Sequence, residues 1–290
     1  MALPMGEAHN RNLLYDTFWT RKVRASVGLD RAQLMISGSA QLDPQVQSFL
    51  GAAFANEFRQ GYGMTEAYAA GTFQLPGDYK TGTVGPPTAN VEICLESVPD
   101  YNYFVTDKPF PRGEILLRGP TMFRGYHKNK EDTQKSIDSD GWFHTGDIGE
   151  VDEIGCFKII DRKKNVLKLA QGEYISPERI ENVYLAHCNV FASAYVHGDP
   201  NQASLVAIFG IEPELFGVYV GKVLKLEEPI APHEIDRLKA ACNEPKVRES
   251  LLAVLDKIGI QQKFNGYERV RSIHLAVTLF TVEEVLLTPT

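Results

Sequence analysis

The sequence predicts an α/β region followed by a smaller α+β region. Its 290 residues suit about two domains. Near the N-terminus an apolar strand segment, residues 32–37, leads through a small-residue loop into a helix that opens at Pro44. From Thr72 to Arg124, glycine and proline separate short strand segments, which is typical of a small antiparallel sheet or barrel. After Asp161 strands and helices are mixed, so we expect a domain boundary near that residue.

Composition narrows the class of protein. Hydrophobic residues make up 43% and charged residues 23% of the chain, as in ordinary globular proteins. The net charge of -7 argues against broad binding of nucleic-acid polymers. The cysteines are widely spaced without a C-x-x-C pair, which predicts reduced thiols in an intracellular compartment rather than structural zinc. No apolar run reaches the roughly 18 residues of a transmembrane helix, and peripheral membrane contact stays open.

Local patterns predict the elements of the first region in order. An amphipathic helix is expected over residues 13–27, and the strand at 32–37 follows it. Proline at the first turn opens the next helix at Pro44, and a short strand then leads into residues 60–66. Further strands are expected at residues 83–87, 91–95 and 113–118, a surface helix at 129–136, and a strand at 157–160 that ends at Asp161.

The second region contains a clear helix start at Ser176-Pro177-Glu178. Serine can cap a helix, proline fits its first turn, and glutamate suits the positive end of the helix dipole. The remaining patterns predict strands at residues 191–197, 205–209 and 272–277, and helices near 233–242 and 246–258.

The segment Gly61-Tyr62-Gly63-Met64-Thr65-Glu66 has the features of a ligand-binding turn. Its glycines let the backbone approach a flat ligand, on which the Tyr62 ring can stack. Thr65 offers a hydroxyl to a phosphate, and Glu66 offers a hard oxygen to Mg²⁺. The alternative interpretation is a tight turn with a solvated glutamate.

A second set of polar groups lies in residues 141–182. Asp147 follows Thr145-Gly146, and a carboxylate in such a turn can accept hydrogen bonds from both hydroxyls of a ribose. Asp161-Arg162 ends an apolar strand, where the fixed charge and forked donors of the arginine suit a ribose or a phosphate. The alternatives are an ordinary turn aspartate and a surface ion pair of little energetic weight.

In these segments the chain resembles the fatty acyl-CoA synthetases, a branch of the adenylate-forming enzymes. GYGMTE and the run GWFHTGDIGEVDEIGCFKIIDRKKNVLKLAQGEYISPERIEN match that family's motifs, and QGEYISPERIEN points to its long-chain branch. The resemblance extends from Leu13 to Thr290. It implies a partial large adenylate-forming domain over residues 1–160, with an αβ layer and a small β-barrel-like subdomain, and a small α+β domain over residues 161–290.

The activity that the resemblance implies is that of a long-chain fatty acid–CoA ligase. Such an enzyme forms an acyl-adenylate from a fatty acid and ATP, and then transfers the acyl group to CoA. Mg²⁺ would bridge phosphates, and catalysis would rest on positioning and charge. The implied partners are therefore a long-chain fatty acid, ATP or AMP, Mg²⁺ and CoA. The implied compartment is the cytoplasm or the surface of the endoplasmic reticulum, a peroxisome or a lipid droplet.

The resemblance also implies roles for individual residues. Asp161 would be the hinge about which the small domain turns, and Glu66 would be the metal ligand. Catalytic roles fall on Thr65, Glu66 and Arg162. Nucleotide-binding roles fall on Gly38, Ser39, Ala40, Tyr62, Gly63, Asp147 and Arg162. CoA-binding roles fall on Lys168, Gly172 and Glu173, although an exposed basic loop explains the lysines here equally well.

Two features of that family have no match in the sequence. No glycine-rich phosphate loop is found between Met1 and Gly38, and no residue up to Thr290 matches the family's C-terminal catalytic lysine. We therefore expect little or no ligase activity from this chain alone. The alternative is an inactive remnant that binds nucleotide weakly or acts as an interaction module. Because a partial domain leaves apolar faces and sheet edges uncovered, we also expect poor solubility or self-association.

Overall fold

The structure is a computed structural model that describes residues 13–40, 42–54 and 57–277. The chain forms two compact units, residues 1–164 and 165–290. Residues 1–12 and 278–290 lie outside the described residues, and with them the C-terminal segment in which no catalytic lysine is matched. The hinge at Asp161 stays a prediction. None of the helices described is long and apolar enough to cross a membrane.

The first unit begins with a helical segment and a three-stranded sheet. The helix predicted over residues 13–27 contains a short π-helical turn between its two α-helical parts. The first two strands of the sheet are parallel, and the third is antiparallel to the second. These elements are α1 (Leu13–Tyr15), the π-helical turn (Asp16–Thr20), α2 (Arg21–Ser26), β1 (Leu34–Ser37), β2 (Glu57–Tyr62) and β3 (Thr72–Phe73).

Helix α3 (Pro44–Phe54) lies between the two parallel strands in sequence and opens at the predicted proline. Asp43 caps it by accepting hydrogen bonds from two N–H groups of the first turn. Buried glutamines then tie the helix to the sheet, because Gln47 donates to Gln74 at 3.0 Å and Gln60 donates to Gln47 at 2.7 Å. Since these buried amides satisfy one another, they fix the position of β2 against the helix.

The other strands of the first unit form a four-stranded antiparallel sheet. This is the small antiparallel sheet that the sequence predicts, and over the described residues it stays open rather than closing into a barrel. The segment 83–87, predicted as a strand, makes only isolated bridges, because Gly85 adopts φ 82° and leaves the extended conformation. The elements are β4 (Glu92–Glu96), β5 (Arg112–Arg118), α4 (Lys130–Ser136), β6 (Phe143–Val151) and β7 (Phe157–Arg162).

The second unit packs helices against a mixed three-stranded sheet. A short hairpin comes first, and the next helix starts at Pro177 as the sequence predicts. In the sheet β10 is antiparallel to β11, and β11 is parallel to β12. The elements are β8 (Leu167–Lys168), β9 (Tyr174–Ile175), α5 (Pro177–His187), β10 (Phe191–Gly198), β11 (Leu205–Ile211), α6 (Pro213–Leu224), α7 (Ile235–Asn243), α8 (Pro245–Gln261) and β12 (Val270–Ala276).

A large hydrophobic core holds the second unit together. Tyr184, Phe209 and Phe216 are fully buried within it. The Tyr184 ring meets Phe209 and Phe264 edge to face, with centroids 6.1 and 5.7 Å apart, and Phe191 stacks on Phe209 at 4.2 Å. Aromatic pairs in these geometries contribute beyond the area that they bury, so this cluster anchors α5 to the sheet.

We predict that Leu255→Ala destabilises the second unit by about 2–5 kcal/mol, because a fully buried side chain leaves a cavity when it is truncated. Hydrogen exchange of the amides in β10 to β12, followed by mass spectrometry, should report the loss. The matched control is Ile260→Ala on the same helix, where the side chain is 60% exposed. Equal effects of the two substitutions would contradict this account of the core.

Candidate functional site

A cavity of ≈ 590 Å³ opens where the parallel strands β1 and β2 end. The carboxyl ends of neighbouring parallel strands are a common ligand site in α/β sheets. Several residues with predicted binding roles line the cavity. Others are not among the lining residues, namely Ala40, Glu66, Asp147 and Arg162. The predicted residues that line it are Gly38, Ser39, Tyr62, Gly63 and Thr65.

Close backbone packing shapes this cavity. A Cβ atom at Gly63 would lie 1.5 Å from the carbonyl oxygen of Ala69, so no larger residue fits there without moving the chain. Tyr68 and Ala69 themselves adopt φ 49° and 95°, and Ser39 on the opposite loop adopts φ 71°. Residues other than glycine rarely adopt a positive φ, so the backbone of the two loops is strained at the cavity.

Asp147 is the acidic group connected to the cavity. Its carboxylate is nearly buried, at 8% exposure of the residue, and the Tyr62 hydroxyl donates a hydrogen bond to Oδ2 at 2.7 Å. The Asp147 N–H in turn donates to Thr145 Oγ1 at 3.0 Å. Burial, and after it the negative charge of Asp147, raise the pKa of Tyr62 well above the usual tyrosine range. Tyr62 therefore keeps its proton, and continues to donate, at pH values above the usual tyrosine pKa.

Arg162 lies beside Asp147 on the neighbouring strand. The two residues are opposite each other in the β6–β7 ladder, and Arg162 Nε lies 3.5 Å from Asp147 Oδ1. The guanidinium is about half exposed, so its charge faces solvent as well as the carboxylate. Asp161 is buried, at 4% exposure, and its Oδ1 accepts a hydrogen bond from the Arg162 N–H at 2.7 Å. The structure thus brings Tyr62, Asp147 and Arg162 together.

Thr65 and Glu66 form a short 3₁₀ turn directly after the cavity wall. Thr65 is exposed, and the Glu66 carboxylate accepts a hydrogen bond from the Tyr126 hydroxyl at 2.9 Å. Burial, and then this hydrogen bond, raise the pKa of Tyr126. Sequence reasoning did not identify Tyr126, which lies 60 residues from Glu66.

Glu114 was also not predicted, although it is a buried carboxylate close to these groups. It is 3% exposed, and it contacts Gly146 and Lys163, the neighbours of Asp147 and Arg162 in the sequence. A signal was present, because Glu114 is followed by the apolar run 115–117 in β5 and a charged residue beside buried apolar positions is rarely without a partner.

Glu114 also belongs to a cluster with metal-ligating side chains. In the part of the chain that the structure describes, ligand atoms of Glu96, Glu114 and His144 lie within 4.8 Å of one another. Lys163 Nζ lies 3.1 Å from Glu114 Oε2 and supplies positive charge at that point. We therefore interpret the cluster as an internal ion-pair network rather than a metal centre.

The residues with predicted CoA-binding roles lie in the second unit. Lys168 and Glu173 flank the turn of the β8–β9 hairpin, and Gly172 in that turn adopts φ 88° with no atom near its missing Cβ. Lys168 Nζ lies 5.1 Å from the centre of the Tyr174 ring. The glycine gives the turn its shape, and the lysine has an aromatic partner.

Comparisons with known proteins agree with the resemblance to acyl-CoA synthetases that the sequence motifs indicate. A family profile described as AMP-binding enzyme matches residues 10–127. The peroxisomal acyl-CoA ligase 891 of Penicillium roqueforti is 53% identical over 280 residues, which cover 97% of this chain and 39% of that protein. The peroxisomal long chain acyl-CoA synthetase 7 of Arabidopsis thaliana is 43% identical over 277 residues, covering 94% of this chain and 38% of that protein.

The chain is homologous to the acyl-CoA ligases of the AMP-binding family. It spans only 38–39% of the length of these curated relatives. Among solved structures, the adenylation domain of a carboxylic acid reductase from Segniliparus rugosus, in complex with AMP and a co-purified carboxylic acid, matches with a TM-score of 0.73. The identity is 28%, over 94% of this chain and 38% of that chain. This likeness confirms the predicted fold class, a partial adenylate-forming domain followed by an α+β region.

Gly63→Ala should destabilise the first unit of this acyl-CoA ligase homologue by about 1–3 kcal/mol, because the added methyl group overlaps the Ala69 backbone. Urea unfolding followed by the fluorescence of Trp19 and Trp142 measures this. Gly71→Ala is the control, since its Cβ would meet Leu117 at an ordinary 3.6 Å. A wild-type midpoint for Gly63→Ala would show that the cavity wall is not as tightly packed as described.

The Tyr62–Asp147 contact predicts a specific pH dependence of stability. The folded chain keeps the Tyr62 proton above pH 10, whereas the unfolded chain loses it near the usual value of 10.0. The stability contributed by this contact is therefore complete below pH 10 and declines as the pH rises further. Between pH 10 and 11, the stability of Tyr62→Phe should decline less steeply than that of wild type, by up to about 1.4 kcal/mol per pH unit.

The matched control for this measurement is Tyr195→Phe, where the ring is half exposed on the second unit. Urea unfolding at several pH values gives the slopes. Identical slopes for Tyr62→Phe and wild type would contradict a buried phenol that stays protonated.

Proposed function

We propose that the chain forms the nucleotide-binding part of a long-chain fatty acid–CoA ligase. In this proposal the cavity at the ends of β1 and β2 takes the adenine nucleotide of ATP and of the acyl-adenylate. The observation that carries it is the 2.7 Å hydrogen bond from Tyr62, a residue of the cavity wall, to the buried carboxylate of Asp147. The ligase names of the homologues and the AMP bound to a structural neighbour support it.

The chemistry of nucleotide binding follows from the groups at the cavity. The Tyr62 ring would stack on the adenine, which Gly61 and Gly63 allow to come close. A carboxylate has about four lone-pair sites, so Asp147 can accept hydrogen bonds from ribose hydroxyls while it keeps the one from Tyr62. Arg162 would reach the ribose or the α-phosphate with its half-exposed guanidinium, whose forked N–H donors suit oxygen acceptors.

Thr65 and Glu66 would act on the phosphates. The exposed hydroxyl of Thr65 can donate to a phosphate oxygen. Glu66 fits Mg²⁺, which prefers hard oxygen ligands, and Tyr126 orients the carboxylate by occupying one of its oxygens. When bound, Mg²⁺ would neutralise phosphate charge, and the protein's own contribution is to hold Glu66 and Thr65 in adjacent positions of one turn.

The second unit would serve the thioester-forming step. We propose Asp161 as the hinge, since it is the buried residue next to the end of β7 and shortly before the second unit begins. Lys168, Gly172 and Glu173 would contact CoA. Gly172 adopts φ 88°, a conformation that favours glycine, and the hairpin tip without a side chain suits a narrow pantetheine arm.

The complete ligase reaction with a fatty acid, ATP and CoA is proposed for the lineage, and the peroxisome is the compartment that we propose. For the 290-residue chain alone, we expect nucleotide binding without appreciable acyl-CoA formation from palmitate, ATP and CoA. Turnover that depends on Asp147 would show that the chain is a complete catalyst. Absence of both turnover and nucleotide binding would favour a role in protein interaction.

We predict that Asp147→Asn weakens AMP binding about tenfold or more, because hydrogen bonds from ribose to a charged acceptor are stronger than those to an amide. Isothermal titration calorimetry with AMP measures this. The control is Asp140→Asn, which removes an exposed carboxylate in the loop before β6. If Asp147→Asn and wild type bind AMP equally, Asp147 is not the ribose acceptor.

A further inference from the structure

We propose that Glu114 is a positioning residue that holds Asp147 and Arg162 in place for the ribose. This inference rests on the proposed function, because it assigns the support of the same nucleotide site. Glu114 lies on β5, away from the cavity lining, and would act through Asp147 rather than touch the ligand.

The Glu114 carboxylate on β5 closes a cycle of hydrogen bonds with Gly146 on β6 and Lys163, the residue that follows β7. Glu114 Oε1 accepts from the Gly146 N–H on β6 at 3.0 Å, and Oε2 accepts from Lys163 Nζ at 3.1 Å. The Lys163 N–H then donates to the Gly146 carbonyl oxygen at 2.7 Å. Asp147 follows Gly146 in the chain and Arg162 precedes Lys163, so each ribose-site residue is next to a member of the cycle.

The backbone explains why a side chain is required here. The β5–β6 ladder shifts register between Glu114 and Leu116, and Gly146 adopts φ 74°. At such a bulge an N–H group loses its regular strand partner, and leaving a buried donor unpaired is costly. The Glu114 carboxylate supplies the missing acceptor. It therefore fixes the backbone at Gly146, directly before Asp147.

Opposite charges also connect Glu114 to Lys163, directly after β7. Glu114 is 3% exposed, and a buried carboxylate needs a compensating charge. Lys163 provides it at 3.1 Å, while His144 Nδ1 lies 3.7 Å from the same oxygen. Glu114→Gln removes the negative charge and leaves one acceptor oxygen, so an amide that still accepts from the Gly146 N–H turns its NH2 toward the lysine ammonium. The substitution therefore removes the side-chain contact that holds Lys163, the residue next to Arg162, while the Lys163 N–H bond to the Gly146 carbonyl oxygen remains.

The test compares AMP with 2′,3′-dideoxy-AMP, which lacks both ribose hydroxyls, on the purified 290-residue chain by calorimetry. Glu114→Gln should bind AMP about tenfold more weakly than wild type and bind the dideoxy analogue unchanged. Lys163→Met should behave in the same way, and it leaves the buried β5 position untouched. The matched control is Glu96→Gln, which removes the exposed carboxylate opposite Glu114 on β4 and should leave both affinities unchanged.

The double variant Glu114→Gln/Asp147→Asn should lose less AMP affinity than the two single losses combined, because both substitutions act on the same ribose site. Wild-type AMP affinity in a folded Glu114→Gln overturns the inference. An equal loss for AMP and the dideoxy analogue also overturns it, since that result indicates only a general structural role.

Asp147→Asn separates this inference from the proposed function. If it removes the preference for AMP over the dideoxy analogue while Glu114→Gln and Lys163→Met retain that preference, only the role of Glu114 fails. If wild type itself shows no preference, the ribose contact of the proposed function fails, and the inference fails with it.

Discussion

The buried carboxylate of Asp147 sets the requirement that the rest of the first unit meets. A carboxylate withdrawn from water is destabilising unless hydrogen bonds and a nearby positive charge compensate it. Tyr62 donates from the mixed three-stranded sheet at 2.7 Å, and Arg162 approaches to 3.5 Å from the adjacent strand of the antiparallel sheet. Because Tyr62 and Arg162 belong to different sheets, the Asp147 carboxylate, the proposed ribose acceptor, also links the two sheets.

The two units depend on different kinds of interaction. The second unit has a large aromatic and aliphatic core. Over its described residues, the first unit has a small buried apolar cluster of Ala67, Val91, Ile115 and Leu117, and further apolar residues such as Phe143 and Ile148 are buried outside that cluster. The first unit compensates with close backbone packing at glycines and with buried polar contacts such as that between Gln47 and Gln74. Polar contacts are directional, so they hold site residues in defined positions where apolar packing alone would allow some slippage.

The elements with strong local signals could be predicted from the sequence. The Pro177 helix start and the surface helix before Ile137 are confirmed, because caps and first-turn residues act within a few positions. Strand β6 was not predicted, since Thr145-Gly146-Asp147 has the composition of a turn. Helix α6 was also missed. Its glycines lower helix propensity, but Gly217 packs so closely on Ile230 that a Cβ would lie 2.0 Å from the carbonyl oxygen.

The residue types of the candidate site were evident from the sequence, but their mutual contacts were not. Tyr62 and Asp147 were each predicted as nucleotide-binding residues, and their assignments stay predictions. Their direct hydrogen bond joins positions 85 apart in the chain, and no local pattern indicates it. Glu114 was missed for a related reason, because its partners lie 32 and 49 positions away. Long-range pairings of this kind follow from sheet register, which a single sequence specifies only weakly.

Tyr62 determines how a nucleotide could affect the whole first unit. Its backbone lies in β2, it lines the cavity, and its hydroxyl holds the carboxylate of β6. The phenol is protonated over the physiological pH range and donates, and its raised pKa extends this to more alkaline solution. A ribose that donates to Asp147 would then add to the Tyr62 hydrogen bond rather than replace it. Occupying the cavity would therefore strengthen the connection between the two sheets, and ligand binding and the stability of the unit would be coupled through one side chain.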